Sequence, residues 1–374
     1  MQVRKIDTSR ARDVRQFIRF PFDLYKDCEQ WVPPLLPEMR LALNRRKYPF
    51  YRNSEADFFV VESEGQTLGR IVAIDNRPYN AYHGTRVAFF YYLDIVNDLQ
   101  VSRLLFDAAF EWARARGLDT MYGPNGLLRY DGHGLLVEGF EHRPSLGLAY
   151  NYAYYGDLVE DAGFEKSHDY LSGHVSKGYD LPQRFYEIAE KVQARRGYQV
   201  RSFKRTGELL ALAPALHRIY EEAFVQVWGY YPVEQEEIEA LIRRIATIAD
   251  PRLIKIVLKD EEPVGFVIAY PDVSAAVQRT KGRLWPFGWI QILRERTRTE
   301  WVTFNGVGVL PKYQGMGANA VLYAELAKTF MANDFQFLHG DYVQVAETNL
   351  ESLGDAIALQ MEWFKRHRVY RRAP

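Results

Sequence analysis

Cysteine is almost missing from this chain. One residue, Cys28, in 374 excludes an internal disulfide framework and any metal site built on cysteine. Net charge is missing altogether, since 48 Lys and Arg balance 48 Asp and Glu. General nucleic-acid binders usually carry a basic excess, so no strong nucleic-acid signal is present. No run approaches the roughly 18 apolar residues of a membrane span. The opening MQVRKIDTSRARDVRQ contains no apolar signal segment. A cytoplasmic protein without a membrane partner is therefore expected, and its oligomeric state is unknown. What the chain has in quantity is aromatic side chains, with 25 Tyr, 22 Phe and 7 Trp. They suit either an apolar ligand groove or plain core packing. The length suits two domains better than one, and a hydrophobic content of 47% can bury both.

The most informative stretch is WVTFNGVGVLPKYQGMGANAVLYAELAKTFM, Trp301 to Met331. It reads as a strand over 301–310, a turn begun by Pro311, and a helix over 319–332. Tyr313-Gln314-Gly315-Met316-Gly317-Ala318 can present backbone N–H groups to an anion at the helix start. The plainer reading is a tight turn whose glycines only permit its dihedrals. The spacing fits neither G-x-G-x-x-G nor a Gly-Lys-Ser/Thr phosphate loop.

The order of elements around this stretch occurs twice. The first half reads as a strand at 3–6, a helix at 12–22, a hairpin 57–63/67–74 and an aromatic strand 85–96. An amphipathic helix 99–116, a strand 120–122, a helix 151–162 and a strand 166–175 follow. The second half gives a strand 198–203, helices 211–224 and 235–248, and a hairpin 254–259/263–268. Strand 301–310, helix 319–332, strand 337–346, a helix near 351–364 and a short strand 368–371 complete it. Lys177 to Pro182 is the natural boundary, and the repeated order reads as an internal duplication.

On that order, and on Gly306-Val307-Gly308-Val309-Leu310-Pro311-Lys312-Tyr313-Gln314-Gly315-Met316-Gly317-Ala318, the second half resembles the acyl-CoA-dependent N-acyltransferases of the GNAT superfamily. The whole chain is similar to a tandem bacterial member. The family pattern is Gln or Arg, two residues, Gly, one residue, then Gly or Ala. Gln314 and Gly317 match it, while Asn319 departs at the last position. In the first half Asn151, Tyr154, Tyr155, Leu158, Gly163 and Phe164 resemble the family's late Asn-to-Gly-Phe segment. Its phosphate turn is replaced by Val96-Asn97-Asp98-Leu99-Gln100, without glycine.

The resemblance implies an α/β fold of two GNAT-like domains, 1–177 and 178–374, each a twisted mixed sheet flanked by helices. The first would lack its own CoA phosphate site. Acetyl-CoA or another acyl-CoA is the implied cosubstrate, with the pantetheine along Val307 and Val309. The pyrophosphate would sit on Gln314, Gly315, Met316, Gly317 and Ala318. The amine of a small molecule or peptide would then attack the thioester directly. A non-catalytic ligand-binding or scaffold protein on the same fold is the alternative. Asn319 and the lack of tyrosine in 351–363 favour it, and the intact Gln314–Gly317 turn argues against it.

An amine arrives protonated, so candidate bases are carboxylates near strand ends. Glu347 follows the strand 337–346, and Asp94 interrupts the apolar run 88–96, where an unpaired charge would be costly. Asp341 is a further option. Tyr155, with Tyr154 beside it, is placed to protonate a leaving thiolate. Glu347 and Asn349 also stand where a helix cap belongs. Asn349, Trp228 and Tyr230 are the candidate substrate contacts, the last two in an aromatic turn. Trp285-Pro286-Phe287-Gly288-Trp289, after Arg283, is a second aromatic concentration. Asp131 and His133 provide two possible metal ligands without a third, so no metal is expected. The basic C-terminus, Lys365 to Arg372, suits either an adenosine phosphate or a solvated tail.

Overall fold

The computed structural model describes residues 1–176, 179–205, 207–332 and 335–373. The expected boundary at Lys177-Gly178 lies outside them. Thirteen strands occur among the described residues: β1 Gln2–Lys5, β2 Glu55–Ser63, β3 Gln66–Asp75, β4 Val87–Ile95, β5 Thr120–Gly123, β6 Leu135–Glu138, β7 Glu165–Ser176, β8 Tyr198–Ser202, β9 Ile254–Lys259, β10 Glu262–Pro271, β11 Trp301–Val309, β12 His339–Ala346 and β13 Glu362–Arg372. They fall into two compact units. Unit 1 comprises Met1–Leu171, Ser274–Trp289 and the residues from Phe364 onward; unit 2 comprises Ser172–Val273 and Ile290–Trp363.

In unit 1 the strand order is β1-β2-β3-β4-β5-β13-β7, with β6 also on β13. β13 is longer than the four-residue strand expected there, and it pairs antiparallel with β5 from Tyr370↔Gly123 to Arg372↔Met121. Three of its arginines are engaged by carboxylates, while Arg372 donates to the carbonyl of Ala162. Arg366 and Arg368 bond the fully buried Asp169 at 3.1 and 2.9 Å, and Arg371 bonds Glu165 at 2.9 Å. The tail thus serves the sheet. The apolar residues of helix Leu99–Arg114 pack on β3, and Phe106 and Phe110 of that helix meet Phe164, as does Phe90 of β4.

In unit 2 the order is β12-β11-β10-β9-β8. Helix Ala318–Met331 packs against helix Gln183–Arg196, which carries little apolar periodicity and was not expected from sequence. It ends at Gly197, whose φ of 67° closes it as a left-handed C-cap. The expected helix 151–162 begins only at Tyr155. Asn151 is buried and its amide bonds both N–H and C=O of Leu136 on β6, at 2.7 and 3.0 Å, which keeps 151–154 out of the helix.

The two sheets share local devices. β2–β3 and β9–β10 each turn through two residues of positive φ, Glu64-Gly65 and Asp260-Glu261. Such a pair gives the primed hairpin turn that matches strand twist. β4 pairs parallel with β5, and β11 pairs parallel with β12. In both, the longer strand carries a bulge past the paired stretch, at Tyr92 (φ 45°) and at Gly306 (φ 111°).

Candidate functional site

β11 and β12 pair from Trp301↔His339 to Phe304↔Tyr342 and no further. The cause is the bulge. Opposite β10, the register jumps from Ala269↔Phe304 to Val267↔Val307, so Asn305 and Gly306 together face the single Ile268, and the one extra residue bends β11. From there β11 stays with β10 as far as Gly265↔Val309 and leaves β12, opening one of its edges. Gly308 lets Phe224 and Phe266 close on the strand, since a Cβ there would lie 3.0 and 3.2 Å from their rings.

A single turn of 3-10 helix, Pro311–Tyr313, carries the chain out of β11. Gln314 then folds back, its side-chain amide donating to the carbonyl of Val309 at 3.2 Å. Gly315 and Gly317 adopt φ of 66° and 88°, and helix Ala318–Met331 starts with no side chain capping it. The glycines serve different ends. A Cβ on Gly317 would lie 2.7 Å from Val192 Cγ2, whereas one on Gly315 would meet nothing within 4 Å.

A cleft of ≈ 470 Å³ opens beside this turn, within the usual range of small-molecule sites. Val307, Gly308, Val309, Gln314 and Asn319 form one wall; Phe224, Val225 and Val227 form another. Glu222, Glu351 and Asp355 also line it, with no Lys, Arg or His among the described lining residues. Asp355 stands on helix Leu350–Ala358, whose first turn is capped by Asn349 Oδ1 accepting from the N–H of Ser352 at 3.1 Å. The half-buried Asp355 carboxylate accepts from Asn319 Nδ2 at 2.9 Å and from Tyr323 Oη at 3.3 Å. Burial pushes its pKa up to about 6; the Tyr323 and Asn319 bonds pull it down, and the charge of Glu351 raises it further. Burial also raises Glu351 itself.

Residues 213–354 match the model of the Acetyltransferase (GNAT) family. The chain is 30% identical over 285 residues to a protein of Caulobacter vibrioides named bacterial ceramide synthase, covering 75% of this chain and 73% of that one. It is 27% identical over 368 residues to Protein YghO of Escherichia coli K12, covering 96% and 92%. Among solved structures it is similar to a tandem GNAT protein from the clavulanic acid biosynthesis pathway, with a TM-score of 0.54, 12% identity and coverage of 100% and 98%. The chain belongs to the GNAT acetyltransferase family. Its two GNAT domains are the mixed, twisted sheets flanked by helices described above.

In this tandem GNAT protein the cleft gathers Val307, Val309, Gln314 and Asn349 from the candidates named on sequence. Gly315, Met316, Gly317 and Ala318 form the adjoining turn and helix start. Glu347 stands in the turn after β12, half-buried, and is not among the residues that line the cleft. Trp228 does not line it either, although Val227 does; Tyr230 is buried and donates its hydroxyl to Glu221 at 3.0 Å. Asp94 and Tyr155 belong to unit 1. Asp94 is buried against Arg70 at 2.6 Å. Tyr155 is fully buried, its oxygen accepting from the N–H of Ile95 at 2.9 Å and sharing a 2.7 Å bond with Tyr25. Tyr154 donates to the carbonyl of the same Ile95 at 2.7 Å. Asp98 caps helix Leu99–Arg114 by accepting from Gln100 and Val101 N–H. Sequence reasoning missed Asp355. The signal available was a carboxylate beside the Ser352-Ala356-Leu359 stripe of a short helix, which does not by itself say what faces it.

Proposed function

We propose that this GNAT protein is an acyl-CoA-dependent N-acyltransferase whose reaction site is the unit 2 cleft. The observation that carries the reading is the meeting, in one cleft, of an opened β11 edge, an uncapped helix start behind a glycine turn, and a carboxyl group with a pKa of about 6. The residues fit an acyl-CoA. The edge of 305–309 offers backbone partners to the pantetheine amides, and the amides around Gly315 to Ala318 favour pyrophosphate. In unit 1 the Ile95 backbone groups bond Tyr154 and Tyr155, and Asp98 occupies the helix start. We therefore assign no acyl-CoA to unit 1.

The acceptor enters as an ammonium ion, which the Glu222, Glu351 and Asp355 lining attracts. Asp355, ionised at neutral pH, takes one proton, directly or through water. The freed nitrogen lone pair attacks the thioester carbonyl, forming the C–N bond. Collapse of the adduct breaks C–S, and the thiolate leaves with little need of a general acid. The adduct's remaining extra N–H proton goes to solvent or the thiolate, giving the amide and the free thiol. Asn319, though a departure from the family pattern, holds the Asp355 carboxylate in place.

The likeness to bacterial ceramide synthase bears on both substrates. A ceramide is the fatty amide of a long-chain amino alcohol, so we infer a fatty acyl-CoA donor and a long-chain amine acceptor. Phe224, Val225 and Val227 in the cleft lining offer apolar surface to such chains. Purified protein would be mixed with acetyl-CoA or a fatty acyl-CoA and a panel of amines that includes a long-chain amino alcohol. Thiol release and product mass would be followed together. Amide formation is expected with the fatty donor. Binding of acyl-CoA without amide from any pair would favour the scaffold or ligand-binding alternative, which the absence of tyrosine from helix Leu350–Ala358 also favours.

A further inference from the structure

Residues Ser274–Trp289 of unit 1 take no part in that chemistry, and their construction is unusual. The base of the segment is fastened. Gln278 donates its side-chain amide to the carbonyls of Glu29 and Trp31 at 2.8 and 3.0 Å, and Leu36 N–H donates to Gly282 O at 2.9 Å. Gly282 fits only as glycine, because its φ is 68° and a Cβ would stand 2.2 Å from Pro34 O. The tip is closed on itself. Trp289 donates its backbone N–H to Leu284 O at 3.0 Å and its indole N–H to Pro286 O at 3.1 Å. A Cβ on Gly288 would overlap Arg283 O.

This braced turn holds three large aromatic side chains in solvent. Trp285 is 82% exposed, more than any other large apolar side chain among the described residues, with Phe287 at 68% and Trp289 at 48%. Core packing therefore does not explain them. The same segment carries Arg279, Lys281 and Arg283 and no carboxylate, in a chain whose net charge is zero. Tryptophan favours the headgroup level of a bilayer, where an apolar ring and a polar N–H are both accommodated. Basic side chains beside it are attracted to anionic headgroups.

We propose that the Trp285–Trp289 turn docks unit 1 on an anionic phospholipid surface, with the aromatic side chains entering the headgroup layer and the exposed Lys281 and Arg283 meeting phosphates. The sequence expectation of no membrane partner rested on the lack of an apolar span. No described helix is long and apolar enough to cross a membrane, but a surface contact requires none. The assignment stands apart from the proposed reaction, since an inactive protein would still bind and a non-binding one could still transfer acyl groups.

Intact protein would be sedimented with vesicles of phosphatidylglycerol and phosphatidylcholine, and with phosphatidylcholine alone. Trp285→Ser/Phe287→Ser and Lys281→Glu/Arg283→Glu would be run beside it. All four positions are exposed, so the variants should melt with the wild type. Expected are binding to the anionic vesicles that added salt weakens, about tenfold or greater loss in each variant, and quenching of wild-type tryptophan fluorescence by bromine-labelled lipid. No vesicle binding by the wild type, or undiminished binding by the aromatic variant, would overturn the proposal. Equal binding to phosphatidylcholine alone would overturn the choice of an anionic surface. Self-association lost in the aromatic variant, without vesicle binding, would assign the turn to a second copy of the chain instead.

Discussion

Asp355→Asn keeps the side chain's shape and an acceptor oxygen for Asn319 and Tyr323 while deleting the charge. The wild-type carboxyl has a pKa of about 6 when folded, against about 3.9 when unfolded. Below pH 4 both states hold the proton and the group is neutral in its effect. As pH rises from 4 to 6 the unfolded chain releases the proton first, so the folded state loses stability over that window. Above pH 6 the full penalty is present, about two pKa units or roughly 3 kcal/mol, as an upper bound for a half-buried group. The variant should therefore be more stable than wild type at pH 8, by about 1–3 kcal/mol, and should lose that advantage near pH 4. Urea unfolding at the two pH values measures it. In the same variant kcat/KM should fall about a hundred- to ten-thousand-fold, the range for a general base, and the rate limb with an apparent pKa near 6 should disappear. A variant that is less stable at pH 8 and keeps full activity would refute both the burial argument and the assignment of the base.

The glycine turn is best tested at Gly315, because Gly317 faces Val192 and any side chain there strains the packing. Gly315→Asn and Gly315→Asp share the left-handed backbone cost and differ in charge, so calorimetry should show CoA affinity lower in Asp than in Asn by at least about tenfold, which corresponds to about 1.4 kcal/mol. Glu347→Gln, assayed beside Asp355→Asn, should cost less turnover, since only Asp355 lines the cleft; the reverse ranking would restore Glu347 as the base. Tyr155→Phe should destabilise the protein by about 1–3 kcal/mol by leaving the buried Ile95 N–H without its acceptor, with acyl-transfer rates unchanged. A stable variant with lost turnover would instead make Tyr155 catalytic.

Most elements were legible because they rest on local chemistry. Helix 235–248 and strand 254–259 have the expected bounds, and the glycine turn at 315–317 lies where the motif put it. Helix Gln183–Arg196 was not legible, since only Phe185 and Ala189 are buried along it and the apolar stripe that would mark it is too thin. The length of β13 escaped for another reason. Its alternation of Arg, His and Lys looks like a charged tail until Asp169 and Glu165 are placed against it. The cleft divides in the same way. Residues on the strand and turn follow from the motif, whereas Asp355 becomes a candidate only through Asn319, 36 positions earlier. A pairing between two helices has no signature in local spacing.

The two domains share one bent-strand opening and differ in whether their own side chains fill it. Both have the primed hairpin, the parallel pair and the bulge that bends the longer strand away. The bulge in unit 1 is made by Tyr92 rather than glycine, at a φ of 45° that a tyrosine adopts at a cost. That cost is offset where Phe17 packs edge-on to the Tyr92 ring and Arg70 lies 5.5 Å from its centre. The backbone past the bulge must still find partners, because buried N–H and C=O groups left unpaired are destabilising. In unit 1 Tyr155 and Tyr154 supply them at Ile95, and Asp98 does the same for the helix start. In unit 2 the corresponding strand end has Gln314 on one carbonyl and an uncapped helix beyond. An opening that its own side chains satisfy has no need of a ligand, while one left to solvent favours a ligand with amide and phosphate groups. This contrast is the physical ground for proposing that the reaction lies in unit 2.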